Sequence, residues 1–176
     1  IPRSWYFLLF IGQLFLVYKL SKNVMSISVN TATGLFILYS TLTGISLSGI
    51  TFVYTASSLA STFLSTAIIF GVMAFYGMTT KTDLTSMRRF LIMGLFGIIM
   101  SSIVNIFIGS SIFQIAISGI GVLIFTGLTA YDTQKILQMY QRGDAYSESG
   151  QKKAVVGALT LYLDFINLFI FLIQFM

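Results

Sequence analysis

A chain of 176 residues that is 56% hydrophobic and 9% charged, with a mean hydropathy of +0.92, is too apolar for a water-soluble domain, so we predict an integral membrane protein. It has neither cysteine nor histidine, which excludes disulfides, thiolate nucleophiles, the usual zinc sites and Ser-His-Asp triads. The net charge of +5 does not indicate nucleic-acid binding, because the basic residues border apolar segments instead of forming a stripe.

Apolar segments long enough to cross a bilayer, about 20 residues each, follow one another along the whole chain. The six predicted spans run over residues 5–20, 31–54, 56–78, 89–109, 112–132 and 154–175. We therefore predict an all-α fold, a multi-pass transmembrane helix bundle that forms one domain over residues 1–176. Because the sequence begins with Ile1 instead of Met, we expect a further helix upstream, which would give seven spans.

Basic residues are distributed unequally between the two sides of these spans. Nine of the ten Lys and Arg residues fall on one side, and only Arg3 falls on the other. Because Lys and Arg are enriched in cytoplasmic loops, the connections at residues 19–30, 79–88 and 133–153 are predicted to be cytoplasmic, with Met176 outside.

Small residues recur at four-residue spacing on the second and third spans, where they let helices approach closely. The two stripes are Ser40, Gly44, Ser48 and Ser57, Ser61, Ser65. We interpret both stripes as packing surfaces instead of pore linings. Asn105 and Gln114, beside the connection between the fourth and fifth spans, either line a vestibule or hydrogen-bond between helices, and we favour the second interpretation.

Two aspartates lie in or at the rim of the last two spans, whereas the other three acidic residues lie in hydrophilic segments. A carboxylate at membrane depth costs roughly 2.5 to 3.5 kcal/mol on insertion scales, so Asp132 and Asp164 are expected to face the bundle interior and serve an ion, proton or ligand path. Asn167, three residues after Asp164, lies on the same helix face and is a candidate for the same path.

The position of Asp132 depends on where the fifth helix ends. If the helix ends near Ala130, Asp132 lies in an interfacial loop and Asp164 only bonds a neighbouring hydroxyl. If it continues through Met139, as the spacing of apolar residues indicates, the two carboxyl groups share one site and one proton, which makes the pair a pH sensor. When ionised, Asp132 and Asp164 are expected to bind a hard cation such as Ca²⁺ weakly and transiently.

Four sequence blocks, in order, carry a family resemblance: "YTASSLASTF", "FGVMAFYGMTTKTDL", "TGLTAYDTQKI" and "LTLYLDFINLF". With them the chain resembles the Bax-inhibitor family, also called the transmembrane Bax inhibitor motif family, from about residue 29 onward. It is most similar to the compact bacterial members, which implies location in the bacterial inner membrane.

The resemblance implies a bundle of seven helices around a central one, and a pH-sensitive calcium leak through the membrane. Asp132 and Asp164 match the family's paired aspartates, which form its pH-sensing and gating dyad. Gln13 stands where bacterial relatives often have a glutamate, and a glutamine cannot titrate. Lys22, with Lys19 as the weaker candidate, stands where the family has an arginine that latches the closed state, and lysine lacks the bidentate geometry of arginine.

Other functions are compatible with the same residues. The alternatives are a proton-coupled cation exchanger and a non-conducting membrane regulator that acts through protein partners. An intramembrane aspartyl protease would need a Gly-x-Gly-Asp motif and a later Pro-Ala-Leu motif, but Asp164 follows Leu-Tyr-Leu and there is no proline after Pro2. We therefore predict that the chain is not an enzyme, needs no resident cofactor, and has Ca²⁺, protons and the bilayer as its partners.

Overall fold

The structure is a computed structural model that describes residues 3–141 and 146–176. It consists of six α-helices, α1 Arg3–Asn23, α2 Val29–Leu47, α3 Ala56–Thr79, α4 Thr85–Ile108, α5 Ser111–Met139 and α6 Glu148–Phe175. Short 3₁₀ turns follow α1 at Val24–Ser26 and α2 at Ser48–Phe52. No residue within the described ranges forms a strand, and the predicted all-α fold is confirmed.

Five segments of this structure are long and apolar enough to cross a membrane, which confirms a multi-pass helical membrane protein. They are Val29–Phe52 and the helices α3, α4, α5 and α6. The predicted span at residues 5–20 falls on α1, which is helical but is not one of these five. Its crossing of the membrane stays a prediction.

The connection between the last two spans is shorter in the structure than residues 133–153, at the α5 end as the spacing of apolar residues had indicated. Helix α5 continues to Met139 and α6 already begins at Glu148. Similarly, the loop predicted at 79–88 shortens because α4 begins at Thr85. Hydropathy predicts only the part of a helix that crosses the hydrocarbon. The helix itself can extend further, because its backbone hydrogen bonds continue where the next side chains reach water or a polar partner. Arg142, assigned to the cytoplasmic side from sequence, lies outside the described residues.

Contacts between Cα atoms group the chain into two compact units. The first comprises the described residues up to Thr55 and those between Met139 and Leu159, and the second comprises Ala56–Gln138 and Thr160–Met176. That residues 1–176 form one domain stays a prediction.

In the first unit, polar side chains connect neighbouring segments. Gln13 of α1 donates hydrogen bonds to two hydroxyls of α2, Thr43 Oγ1 at 3.4 Å and Ser46 Oγ at 3.2 Å. Lys152 near the start of α6 is 8% exposed, and its Nζ lies 2.7 Å from Glu148 Oε1 and donates to the carbonyl of Met25 at 3.3 Å. The lysine therefore holds the 3₁₀ turn after α1.

In the second unit, α4 and α5 interlock through glycines. A Cβ at Gly127 of α5 would lie 2.8 Å from Cδ2 of Leu91 on α4, and a Cβ at Gly94 of α4 would collide with Ile124 of α5. Each glycine thus accepts a side chain of the opposite helix. Leu91 and Ile124 belong to the buried core of this unit, which is the scaffold for the candidate site.

The two stripes of small residues are packed only in part among the described residues, since Ser40 and Ser65 are half-buried. A Cβ at Gly44 would meet nothing within 4 Å, and Ser61 is exposed, its Oγ bonded to its own helix at Ser58 O. Buried instead are Thr62 and Thr66, each 0% exposed. Four-residue spacing predicts a helix face correctly but does not tell which face meets a neighbour.

Candidate functional site

The acidic residue Asp132 is placed by the continuation of α5. As the apolar spacing predicted, the helix passes Ala130 and runs to Met139, so Asp132 lies within a helix and not in an interfacial loop. The helix is fixed there by Gln134, which is 8% exposed. Its Oε1 accepts from the backbone N–H of Leu84 at 2.9 Å and its Nε2 donates to the carbonyl of Thr82 at 2.8 Å.

The carboxyl groups of Asp132 on α5 and Asp164 on α6 lie within hydrogen-bonding reach of each other. Asp164 is 4% exposed, and its Oδ2 is shielded from solvent and accepts no hydrogen bond from the described residues. Because ionised carboxylates accept hydrogen bonds but do not donate them, a bond between the two requires a proton on one. The structure thus brings together the two aspartates that the sequence singled out.

Both carboxyl groups line a cavity of about 670 Å³ formed by α4, α5 and α6 within the second unit. Most of its wall is apolar, with isoleucine and leucine side chains on α4 and two phenylalanines, Phe125 and Phe171. Asn167 also lines the cavity, so the structure places it where the sequence predicted. Its Nδ2 donates to the carbonyl of Leu163 at 2.8 Å, and its Oδ1 is the atom able to bind a cation.

Two basic residues beside the acid pair were missed as site residues. Arg88 of α4 and Lys135 of α5 line the same cavity and act electrostatically on Asp132. From sequence they were interpreted only as topology determinants. A signal existed for Lys135, three residues after Asp132 and therefore on the same helix face. None existed for Arg88, whose position depends on how α4 packs against α5.

The other candidate pathway residues lie in the first unit. Gln13 uses its amide nitrogen to pair α1 with α2, as described above. Lys22 is exposed in the last turn of α1, and Lys19 is exposed with its Nζ 5.7 Å from the ring centre of Phe15. Their roles in a latch or a pathway stay predictions.

The arrangement can exchange protons and attract cations. Asp132, Asp164 and the carbonyl of Asn167 offer oxygen ligands, the type that hard divalent cations prefer. Where residues are described, no group of three or more Asp, Glu, His or Cys side chains is positioned to hold a metal ion.

Comparison with known proteins shows which family the chain belongs to. A family model described as "Inhibitor of apoptosis-promoting Bax1" matches residues 1–176. The chain is 50% identical to the "Inner membrane protein YbhL" of Escherichia coli over 167 aligned residues. The aligned region covers 94% of this chain and 71% of that protein. It is 52% identical over 164 residues to an uncharacterized protein of Borreliella burgdorferi, with 93% and 71% covered.

A third relative is an uncharacterized membrane protein of Streptococcus pyogenes, 40% identical over 162 residues, with 92% of this chain and 69% of that protein covered. The family match extends over all five apolar segments and includes both aspartates of the cavity. The chain is therefore an integral membrane protein of the Bax inhibitor family.

Proposed function

We propose that this protein is a pH-sensitive calcium leak channel in which Asp132 and Asp164 form the gating dyad. The observation that carries the proposal is the proximity of these two carboxyl groups on the wall of one cavity. When they share a proton, the bond between them holds α5 against α6. When both are ionised, they repel each other and attract a cation, so the protonation state biases the arrangement of the two helices.

Transport of this kind needs neither a catalytic residue nor a resident cofactor, and Ca²⁺ is its cargo. We place the protein in the bacterial inner membrane, in line with the name of the Escherichia coli relative. Its basic loops then face the cytoplasm and Met176 lies outside. Arg88 and Lys135 at one end of the cavity provide positive charge that competes with a cation for Asp132.

The test is calcium flux into vesicles that contain the purified protein, measured across a pH series for the parent, Asp132→Asn and Asp164→Asn. Asparagine keeps the size of the side chain but cannot titrate, so each variant should lose most of the pH dependence of flux. The matched control is Ser61→Ala, which removes an exposed hydroxyl outside the cavity. Unchanged pH profiles in both asparagine variants would remove the basis of the proposal.

The same vesicles separate the alternative functions. A leak runs down the calcium gradient without any proton gradient, whereas a proton-coupled exchanger transports calcium only against an opposing proton flux. A non-conducting regulator gives no flux at any pH. These three outcomes are measured by imposing or collapsing the pH gradient with an ionophore while the calcium gradient is held constant.

A further inference from the structure

A second polar site lies near the Met176 end of the second unit, and we call it the amide cluster. Its members are Asn105 of α4, Gln114 and Ser118 of α5, and Gln174 of α6. Asn105 Nδ2 donates to Gln114 Oε1 at 3.0 Å, and Gln114 Nε2 donates to Gln174 Oε1 at 3.0 Å. Ser118 Oγ lies 3.3 Å from the same oxygen of Gln174. The cluster therefore connects three helices, and the helix-pairing interpretation of Asn105 and Gln114 is confirmed.

The amide cluster continues the wall of the cavity that holds the acid pair. Ser102 of α4 and Phe171 of α6 line that cavity. Asn105 and Gln174 follow them by three residues each, which places them on the same helix faces one turn further along. Along α6, ten residues separate Asp164 from Gln174, or about 15 Å at 1.5 Å per residue. The acid pair and the amide cluster are thus separate polar layers along the same three helices.

An aromatic side chain lies between the two layers. The ring of Phe171 stacks on Phe125 with centroids 5.7 Å apart, and it covers Gly121, where a Cβ would lie 2.5 Å from the ring. Asn105 is 8% and Ser118 0% exposed, whereas Gln174 is exposed. The cavity wall extends along α4 to Ile106, one residue past Asn105, so the cavity reaches the level of the amide cluster.

We infer that the amide cluster is the constriction between the cavity and the Met176 side of the membrane, and that its neutral oxygens determine which cations cross. The inference rests on the proposed function. Amide and hydroxyl oxygens replace part of the hydration shell of an ion, as carbonyl oxygens do in selectivity filters. In the structure Gln114 Oε1 and Gln174 Oε1 accept hydrogen bonds from side chains of the cluster, and Asn105 Oδ1 accepts from the backbone N–H of Ser110. The acid pair then senses protons while the cluster selects ions.

The first test measures access and does not depend on calcium flux. Because the chain has no cysteine, Ser102→Cys introduces a single thiol between the two layers. A membrane-impermeant cationic thiol reagent is added to each side of reconstituted vesicles in turn. Adding Gln174→Ala removes both hydrogen bonds that Gln174 Oε1 accepts, so it should speed labelling from the Met176 side at least roughly tenfold. Labelling from the Lys135 side should stay constant.

The second test measures selectivity. Gln174→Glu keeps the side chain's length and adds a carboxylate, which binds divalent cations better than an amide does, so the ratio of Ca²⁺ to K⁺ flux should rise. Gln138, exposed on α5 and remote in sequence from the cluster, gives the matched controls Gln138→Ala and Gln138→Glu, which should change neither readout. Variants are compared only as monodisperse protein, and the two substitutions at Gln174 test the inference separately.

The outcomes are distinguishable. An unchanged labelling rate in Gln174→Ala, or an unchanged flux ratio in Gln174→Glu, overturns the inference while calcium flux of the parent leaves the proposed function standing. Absence of cation flux from the parent at every pH overturns both.

Discussion

Gly77 of α3 lies against the backbone carbonyl of Ala130 on α5, so close that a Cβ at Gly77 would overlap the Ala130 oxygen. Ala130 precedes Asp132 by two residues, so this contact fixes the part of α5 that carries the acid pair. The partner is backbone and cannot move aside as a flexible side chain would. The closeness of α3 and α5 therefore depends on the absence of a side chain at position 77.

Gly77→Ala should destabilise the protein by about 1 to 3 kcal/mol, the usual cost of overpacking, because α3 has to move away from α5. Gly71→Ala on the same helix is the control, since a Cβ at Gly71 meets nothing within 4 Å. Alanine's higher helix propensity should make that control neutral or up to about 1 kcal/mol more stable. Unfolding in a denaturant titration of the detergent-solubilised protein measures both, and equal stabilities of the two variants would contradict the prediction.

Gln134→Met should cost about 1 to 3 kcal/mol, because methionine has a similar volume but leaves the N–H of buried Leu84 without its acceptor. Gln138→Met, at an exposed position one turn along α5, should change stability by less than about 0.5 kcal/mol. Amide hydrogen exchange at Leu84 gives a local readout, and protection that survives Gln134→Met would show that the side chain does not hold the loop.

The substitutions Lys152→Met and Glu148→Gln test the two contacts of Lys152 separately. The Glu148 side chain is 68% exposed, so Glu148→Gln should lower the unfolding temperature only slightly, and by less in high salt. Lys152→Met also removes the hydrogen bond to the carbonyl of Met25, so it should cost roughly 1 kcal/mol more. Thermal unfolding at low and high salt measures the stability of both variants. A smaller loss of stability in Lys152→Met than in Glu148→Gln would contradict this order.

Asp83, in the loop before α4, should stabilise that loop in a pH-dependent way. Hydrogen bonds from the side chain and the backbone N–H of Thr85, the latter at 2.9 Å, hold the pKa of Asp83 below its usual value. A lowered pKa in the folded state gives stability that is present above the unfolded-state pKa and is lost as pH falls through the folded-state pKa. Asp83→Ala should therefore lower the unfolding temperature slightly at neutral pH.

The difference between the parent and Asp83→Ala should vanish at acidic pH, where Asp83 is protonated in both states of the parent. A series of thermal unfolding curves from neutral to acidic pH provides the measurement. A difference that persists below the folded-state pKa would show that the Asp83 charge is not the cause.

Much of this architecture could be predicted because membrane crossing imposes a strong pattern on sequence. Apolar length located the helices, and the cost of a carboxylate at membrane depth singled out Asp132 and Asp164. The spacing of apolar residues beyond Ala130 indicated the continuation of α5. Each of these inferences depends only on residues near one another in sequence or on the bilayer as solvent.

What could not be predicted depends on which helix faces meet. Gln134 is a polar residue that follows an apolar span, which is typical of a loop. It is buried because the loop between α3 and α4 packs against it. Arg88 is 44 positions from Asp132 in the chain and reaches the cavity only through packing of α4 on α5. The burial of Thr62 in place of the neighbouring Ser61 is likewise decided by the rotation of α3.

Gly94 of α4 accepts Ile124 of α5, and Gly127 of α5 accepts Leu91 of α4, so the two helices interlock at two points. Sliding one helix past the other by a single residue would drive Ile124 or Leu91 into backbone that has no recess for it. The register of these two helices is therefore fixed, and they can only travel together. Phe171 of α6 lies over Gly121 of α5 in the same manner, so the segment that carries Asp164 and Gln174 is held against α5 by the same kind of recess.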